Sequence, residues 1–242
     1  MRPDGRSPQE LRPISLDVGF IRKVPGSCLV AFGDTRVLTT VTVEDRVPPH
    51  RLGKGGWLSA EYAMLPGSTQ ERKRRDQGKP DGRSVEIQRL LGRALRAVTV
   101  LEELPGVTLW VDCDVVEADG GTRCAAITGA YVSLAVAVAR LQKQGVIKAS
   151  ARPLLHSVSA VSVGLVSGGI VVDLNYVEDS AAEADLNIVS TGEGKLVEIT
   201  GAAEKRTFER EQLNAMIDAG LAANQRIKAL QEQAVADAIR RL

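Results

Sequence analysis

The chain has 242 residues, of which 44% are apolar and 25% charged, enough for a sizeable core and ordinary for a soluble globular protein. A formal net charge of +1 argues against a globally basic nucleic-acid binder, and an aromatic content of 3% argues against RNA contact through stacked rings. With only His50 and His156 there is no histidine-rich metal site. Cys28, Cys113 and Cys124 are widely spaced, so they read as buried thiols in a reducing, cytoplasmic setting.

The N-terminus carries Arg2, Asp4, Arg6 and Glu10 without an apolar stretch, so no signal peptide is expected. Arg12 to Thr42 reads as strands. Ser27–Phe32 and Thr35–Glu44 flank Gly33-Asp34, a two-residue hairpin signal. A Pro- and Gly-rich loop follows, then a strand from Trp57 to Leu65. Gly67 to Gly82 contains Arg72-Lys73-Arg74-Arg75 and no apolar residue, which predicts a solvated loop free of the core. Such a run is either plain solvated surface or a grip on a polyanion's backbone, with Arg72, Arg74 and Arg75 as the contacts.

Ser84 to Glu103 predicts a helix capped by Ser84, with Ile87, Leu90, Leu91, Leu95 and Val98 as its buried stripe. Arg89, Arg93 and Arg96 form a row of three fork donors on another face; the alternative is a helix face in salt bridges, at a subunit interface or within the chain. Arg83 precedes the helix and is better placed to reach a ligand at its N-terminus.

Leu109 to Leu141 carries the densest signal. Leu109, Val111, Cys113 and Val115 alternate with Trp110, Asp112 and Asp114, the period of a strand with one face on a core. Gly120-Gly121 ends it. From Cys124 to Ala139 there is no charge, which predicts a helix buried on all sides; Thr128, Gly129 and Ser133 within it point to a core helix and not a membrane span. At the junction, Gly121 lets backbone approach a ligand, Thr122 offers a hydroxyl and Arg123 a planar fork of donors, beside free helix N–H groups that favour an anion. A tight turn with Arg123 in a surface salt bridge is the plainer alternative.

After Gln144-Gly145 a second half begins, with strands at Val158–Val166, Ile170–Leu174, Leu186–Ser190 and Leu196–Thr200. Gly192-Glu193-Gly194-Lys195 is not a P-loop, because Val189 stands for its first glycine and Leu196 for its Ser/Thr. Asp179 and Asp185 lie six apart on a small-residue stretch from Asn175 that leads into a strand. They suit Mg²⁺, which takes one or two carboxylates plus water and phosphate; an Asx-type turn with solvated carboxylates is the alternative. Thr207 is expected to cap a final helix to Leu242, with Gly220 as a kink. The pentapeptide PDGRS occurs at Pro3–Ser7 and Pro80–Ser84 and has no explanation. No long linker interrupts the chain, so residues 1–242 are expected to form one unit with pseudo-halves near 1–145 and 146–242.

Charge is segregated. Pro66 to Arg96 holds nine Lys/Arg against four Asp/Glu, and Asp173 to Glu211 four against ten. The first suits phosphates and the second a cation. Phosphoryl transfer needs positioning and charge neutralisation more than a protein nucleophile, and no GxSxG motif supplies one.

The segments Met1–Arg6, Glu44–Pro49, Gly82–Leu90, Asp112–Arg123 and Glu178–Asp185 together resemble the ribonuclease PH family, in the expected order and over nearly the whole chain. The resemblance implies an α/β (α+β) fold of the ribosomal-protein-S5-domain-2-like kind, with two βαβ-type halves, mixed sheets and packed helices. It also implies a homo-hexameric ring, a trimer of dimers, in which Arg89 and Arg93 serve RNA or ring assembly, and a phosphate-dependent exoribonuclease that trims 3′ ends of tRNA precursors and other RNA. By motif match, phosphate binding falls on Arg83, Gly121, Thr122 and Arg123, and the catalytic and metal-associated positions on Asp179 and Asp185. Inorganic phosphate is then the co-substrate and Mg²⁺ the cofactor. Departures are Gly67 where relatives often carry Arg, Cys124 where they carry Thr, and Gly201-Ala202-Ala203-Glu204 for Gly-Thr-Ala-Glu. The alternatives are a non-catalytic RNA-binding ring subunit of the same fold and an ATP-dependent small-molecule phosphotransferase.

Overall fold

The structure is a computed structural model in which residues 2–75 and 81–242 are described. Residues 76–80 of the basic loop, including Pro80 of the second PDGRS copy, and Met1 lie outside them.

Strands β1 (Ile14–Val18), β2 (Gly26–Phe32), β3 (Thr35–Glu44), β4 (Trp57–Met64) and β5 (Thr108–Glu117) form one sheet in the order β1-β2-β3-β5-β4. The predicted hairpin joins β2 to β3, with Phe32 opposite Thr35. Helix α1 (Gly82–Arg96) crosses from β4 to β5, which run parallel, as a connection that long allows. Along β5 the alternation is the expected one: Leu109, Val111, Cys113 and Val115 are buried, while Trp110, Asp112 and Asp114 face a half-open side.

Helix α2 (Thr122–Lys143) follows and lies between this sheet and a second one. The second sheet has the order β7-β6-β8-β9, antiparallel throughout, from β6 (Val158–Val166), β7 (Gly169–Val172), β8 (Ala184–Thr191) and β9 (Leu196–Ala203). Short helix α3 (Tyr176–Ala181) connects β7 to β8, which flank β6 and run in the same direction. The long α4 (Arg210–Arg240) packs on β6 beside α2.

By length and apolarity α2 could cross a membrane, but 83% of its most apolar window is buried inside the protein. It is the core helix packed against both sheets. Ser133 Oγ meets Thr39 Oγ1 at 2.7 Å on the first sheet, and Gln231 of α4 donates from Nε2 to the carbonyls of Thr128 (2.9 Å) and Val158 (3.0 Å). Gly129 lets the helix lie directly on β2, because a Cβ there would stand 2.5 Å from Val30 Cγ1. Gly129→Ala should therefore destabilise the fold by about 1–3 kcal/mol by overpacking, despite alanine's better helix propensity. Urea denaturation with a midpoint at or above that of the parent would contradict this.

Several local expectations are corrected. Helix α1 begins at Gly82 and its cap is Asp81, whose Oδ1 accepts from the Ser84 N–H at 2.7 Å; Ser84 itself is buried. The helix stops at Arg96, and Leu101–Glu103 form a separate 3-10 turn. The Lys73 ammonium and the Ser84 N–H hold the Asp81 carboxyl down at about 2. Asp81 thus adds stability at pH values above the ordinary carboxylate range, and this is lost as pH falls through about 2. Asp81→Ala should cost about 1 kcal/mol at neutral pH. A loss in chemical denaturation that persists unchanged in strong acid would refute the capping role.

The described part of the basic loop is not free of the core. Ser68 is buried and its carbonyl accepts from Ala118 N–H at 2.8 Å, while Lys73 N–H donates to the Pro66 carbonyl at 3.0 Å. Backbone polar groups drawn beside a sheet end need such partners. Helix α4 is capped by Glu209, not Thr207: the Glu209 N–H donates to Gln212 Oε1 at 2.8 Å in a capping box. It runs as one helix past Gly220, where the absent side chain makes room for Ile188.

Candidate active site

Four chain segments meet at the N-terminal end of α2. Gly120 and Gly121 both take the left-handed conformation, with φ of +75° and +67°, and Gly121 caps the helix without a side chain. The Cys124 and Ala125 N–H groups donate to the Gly121 carbonyl at 3.0 Å, and those of Thr122 and Arg123 have no backbone partner among the described residues. Thr122 is buried, its Oγ1 2.9 Å from the Tyr62 hydroxyl on β4. Burial pushes the Tyr62 phenol up, against the pull of Thr122, Arg83 and Arg123. Arg123 is largely covered and donates from Nη1 to Glu86 Oε1 of α1 at 3.1 Å.

Arg83 occupies the first turn of α1, exposed, and has no carboxylate partner among the described residues. Asp179 lies on α3 and Asp185 on β8. Asp179 touches solvent yet stands among enough protein that loss of water raises its carboxyl, while Arg83 and Arg123 pull it back down. Asp185 is raised by burial first and then by the negative charges of Asp179 and Glu204, with Arg123 opposing. Arg83, Arg123, Asp179 and Asp185 are thus one electrostatic neighbourhood, with Thr122 beside Arg123 at the helix start. The segment 175–185 is not an Asx turn. Asn175 and Glu178 form a capping box that starts α3 and presents Asp179 from its first turn.

The predicted RNA contacts are distributed differently. Arg72, Arg74 and Arg75 are exposed on the loop that Lys73 ties to Asp81, just ahead of α1. Arg89 is exposed on α1. Arg93 is not brought to the anion turn: it forms a two-point ion pair with Glu198 of β9, at 2.9 and 2.6 Å. Its fork geometry matches a carboxylate that the tertiary fold places opposite it. Arg96 donates to the Leu58 carbonyl and lies over the Trp57 ring.

Sequence reasoning missed the foundation of the site. Arg2 makes a two-point pair with Glu178 at 2.6 and 2.7 Å, and Arg12 binds Asp173 Oδ1 at 2.7 Å; all four residues are buried. Glu178 is the capping-box residue of α3, so the N-terminal segment holds the helix that bears Asp179. The only available signal was the mixture of arginine and acid within Arg2–Arg12, which also suits a solvated tail.

Residues 10–140 match domain 1 of the 3′ exoribonuclease family and residues 156–223 match domain 2. The chain belongs to that family. Within it, ribonuclease PH of Methylobacterium radiotolerans is 52% identical over 98% of this chain and 100% of the relative, and ribonuclease PH of Bacillus velezensis is 52% identical over 90% and 89%. Family membership at this identity makes the chain a phosphorolytic 3′-to-5′ exoribonuclease, with phosphate as co-substrate and RNA as substrate. The fold is shared with rice (Oryza sativa) Rrp46, at TM-score 0.79 and 23% identity over 97% of this chain and all of that one. It is also shared with the Archaeoglobus fulgidus exosome with RNA bound to its active site, at TM-score 0.78 and 20% identity over 94% and 91%.

All three cysteines are free and buried, and burial raises each thiol. Cys124 adjoins Arg123, yet burial pushes its thiol up to about 12 and its Sγ donates to Asn187 Oδ1. Among the described residues the site holds no activated nucleophile.

Proposed function

We propose that the chain shortens the 3′ ends of tRNA precursors one nucleotide at a time, with Arg83, Thr122, Arg123 and the N–H groups at Gly121 holding inorganic phosphate in line with the last phosphodiester. The phosphate oxygen forms a bond to the terminal nucleotide's phosphorus as the bond from that phosphorus to the upstream 3′ oxygen breaks. The products are a nucleoside diphosphate and an RNA shorter by one. Asp185 gives the proton to the departing oxygen when its carboxyl carries one, the form that its surroundings favour, and Asp179 would then be the carboxylate that stays on Mg²⁺. Because one phosphoryl linkage replaces another, the reaction is nearly reversible, and excess diphosphate drives nucleotide addition.

The observation that carries this reading is the Gly121-Thr122-Arg123 helix start, with Arg123 in electrostatic reach of Asp179 and Asp185 and no activated protein nucleophile beside it among the described residues. Asp179 and Asp185 are hard oxygen donors in a crowded pair, which fits Mg²⁺ completed by water and phosphate better than a closed protein cage; no group of three or more ligating side chains is assembled among the described residues. When bound there, Mg²⁺ supplies charge that offsets repulsion between the attacking and attacked phosphates. Arg72, Arg74, Arg75 and Arg89 bind the RNA backbone without reading sequence, and Arg93 can join them only by leaving Glu198. We take residues 1–242 as one unit with halves near 1–145 and 146–242, assembled in the cytoplasm as a homo-hexamer, a trimer of dimers.

The test is incubation with tRNA bearing a short 3′ tail, with and without phosphate. Nucleoside diphosphates that appear only with phosphate are expected. Nucleoside monophosphates released without phosphate would mean hydrolysis and would overturn the mechanism.

A further inference from the structure

Arg12 lies behind the anion turn, and every polar edge of its side chain is used. Nε donates to Asp173 Oδ2 at 3.1 Å and Nη2 to Asp173 Oδ1 at 2.7 Å, while the Arg12 N–H also reaches Oδ2, at 2.7 Å. The other side of the fork meets two carbonyls of the turn, Nη1 to Asp119 at 2.6 Å and Nη2 to Gly120 at 3.4 Å. Thr35 is a second pin: its hydroxyl donates to the Gly120 carbonyl at 2.6 Å and accepts from the Asp119 N–H at 2.9 Å. Both residues are buried.

The consequence follows from peptide geometry. A trans peptide is planar, with its C=O and N–H pointing opposite ways. Holding the carbonyls of Asp119 and Gly120 on Arg12 and Thr35 therefore turns the N–H groups of Gly120 and Gly121 to the opposite side. The same pins tie the turn to Asp173 and the start of α3, the helix that bears Asp179. Asp173 receives Arg12, Arg2 Nη2 donates to the Asp173 carbonyl at 2.9 Å, and Arg2 grips Glu178 of α3. From the other direction, Asp119 Oδ1 accepts from Tyr176 N–H at 3.2 Å, and a Cβ at Gly120 would stand 2.7 Å from the Leu174 carbonyl oxygen. Turn and helix are one clamped body.

We propose that Arg12, with Thr35, is a positioning residue that sets the phosphate turn in register with the helix bearing Asp179, and that it acts through backbone carbonyls without touching phosphate or RNA. The proposal rests on the phosphorolytic reading of the site. Its signature is selective, since loosening the turn weakens phosphate capture and leaves the arginines that meet RNA in place.

The experiment measures the KM for phosphate and for RNA separately in Thr35→Val, in Arg12→Met, and in Arg12→Met combined with Asp173→Asn. Thr35→Val keeps shape and charge and removes only the hydroxyl, so it reports even if the buried-charge variants fail to fold. In the folded variants the KM for phosphate should rise about tenfold or more, with the KM for RNA within about twofold, because small misplacements of reacting groups carry such factors. Arg12→Lys, which can restore one donor, should recover part of the loss. A phosphate KM within twofold of the parent in Thr35→Val, or a rise in both KM values together, overturns the proposal. Failure of the parent enzyme to respond to phosphate at all would instead sink the reading on which it rests.

Discussion

Arg123→Ala should lower the release of nucleoside diphosphate by about 10²–10³-fold, the usual loss when one donor to a reacting phosphoryl or oxyanion group is removed. RNA affinity should change little, because Arg72, Arg74, Arg75 and Arg89 lie outside the turn and are exposed. The fold should tolerate the change, since the partner left behind, Glu86, is about half exposed and such pairs contribute little stability. The measurement pairs a phosphate-dependent trimming assay with filter binding of the same tRNA. Trimming that survives would remove Arg123 from the chemistry, and RNA binding that disappears with it would make it an RNA contact. A non-catalytic ring subunit would show no phosphate-dependent trimming to lose.

Asp185→Asn should likewise abolish turnover, by about 10² or more if it supplies the proton, and yet should stabilise the protein at neutral pH. The sign comes from its surroundings. Burial, then Asp179 and Glu204, raise the Asp185 carboxyl above its value in the unfolded chain, so folding opposes its ionisation. The resulting cost is present at neutral pH and disappears as pH falls through the raised value, where the folded carboxyl takes up its proton. In metal-free buffer the asparagine variant should therefore melt higher than the parent at neutral pH, with the gap closing toward acid. Added Mg²⁺ should raise the parent's midpoint and leave an Asp179→Asn, Asp185→Asn double variant unmoved. A parent that melts higher than the variant in metal-free buffer would contradict the crowded-carboxylate picture, and equal Mg²⁺ responses would move the metal elsewhere.

Much of this site was legible from residues. The alternation along β5, the glycine pair and the uncharged run from Cys124 depend on local periodicity and turn chemistry, which act within a few residues and leave a pattern in the chain. The helix caps were less legible. Ser84 and Thr207 look like caps by type, but Asp81 accepts from the Ser84 N–H and Glu209 pairs with Gln212, so each helix begins at the residue whose local cap bonds are made. Arg93 shows the same limit more sharply, since its row with Arg89 and Arg96 gives no hint of Glu198, more than a hundred residues later.

The amino-acid order by itself determined the β2–β3 hairpin, the alternation of β5, the glycine turn, the buried course of α2 and the identity of the charged groups, because those rest on short-range sterics and on side-chain chemistry. Only the tertiary structure decided that Arg83 from α1, Arg123 from α2, Asp179 from α3 and Asp185 from β8 share one space, and that Arg2 and Arg12 lie buried beneath it. The reason is physical: a charge becomes a site or a foundation according to which distant backbone removes its water and which opposite charge replaces it, and neither is encoded in nearest neighbours.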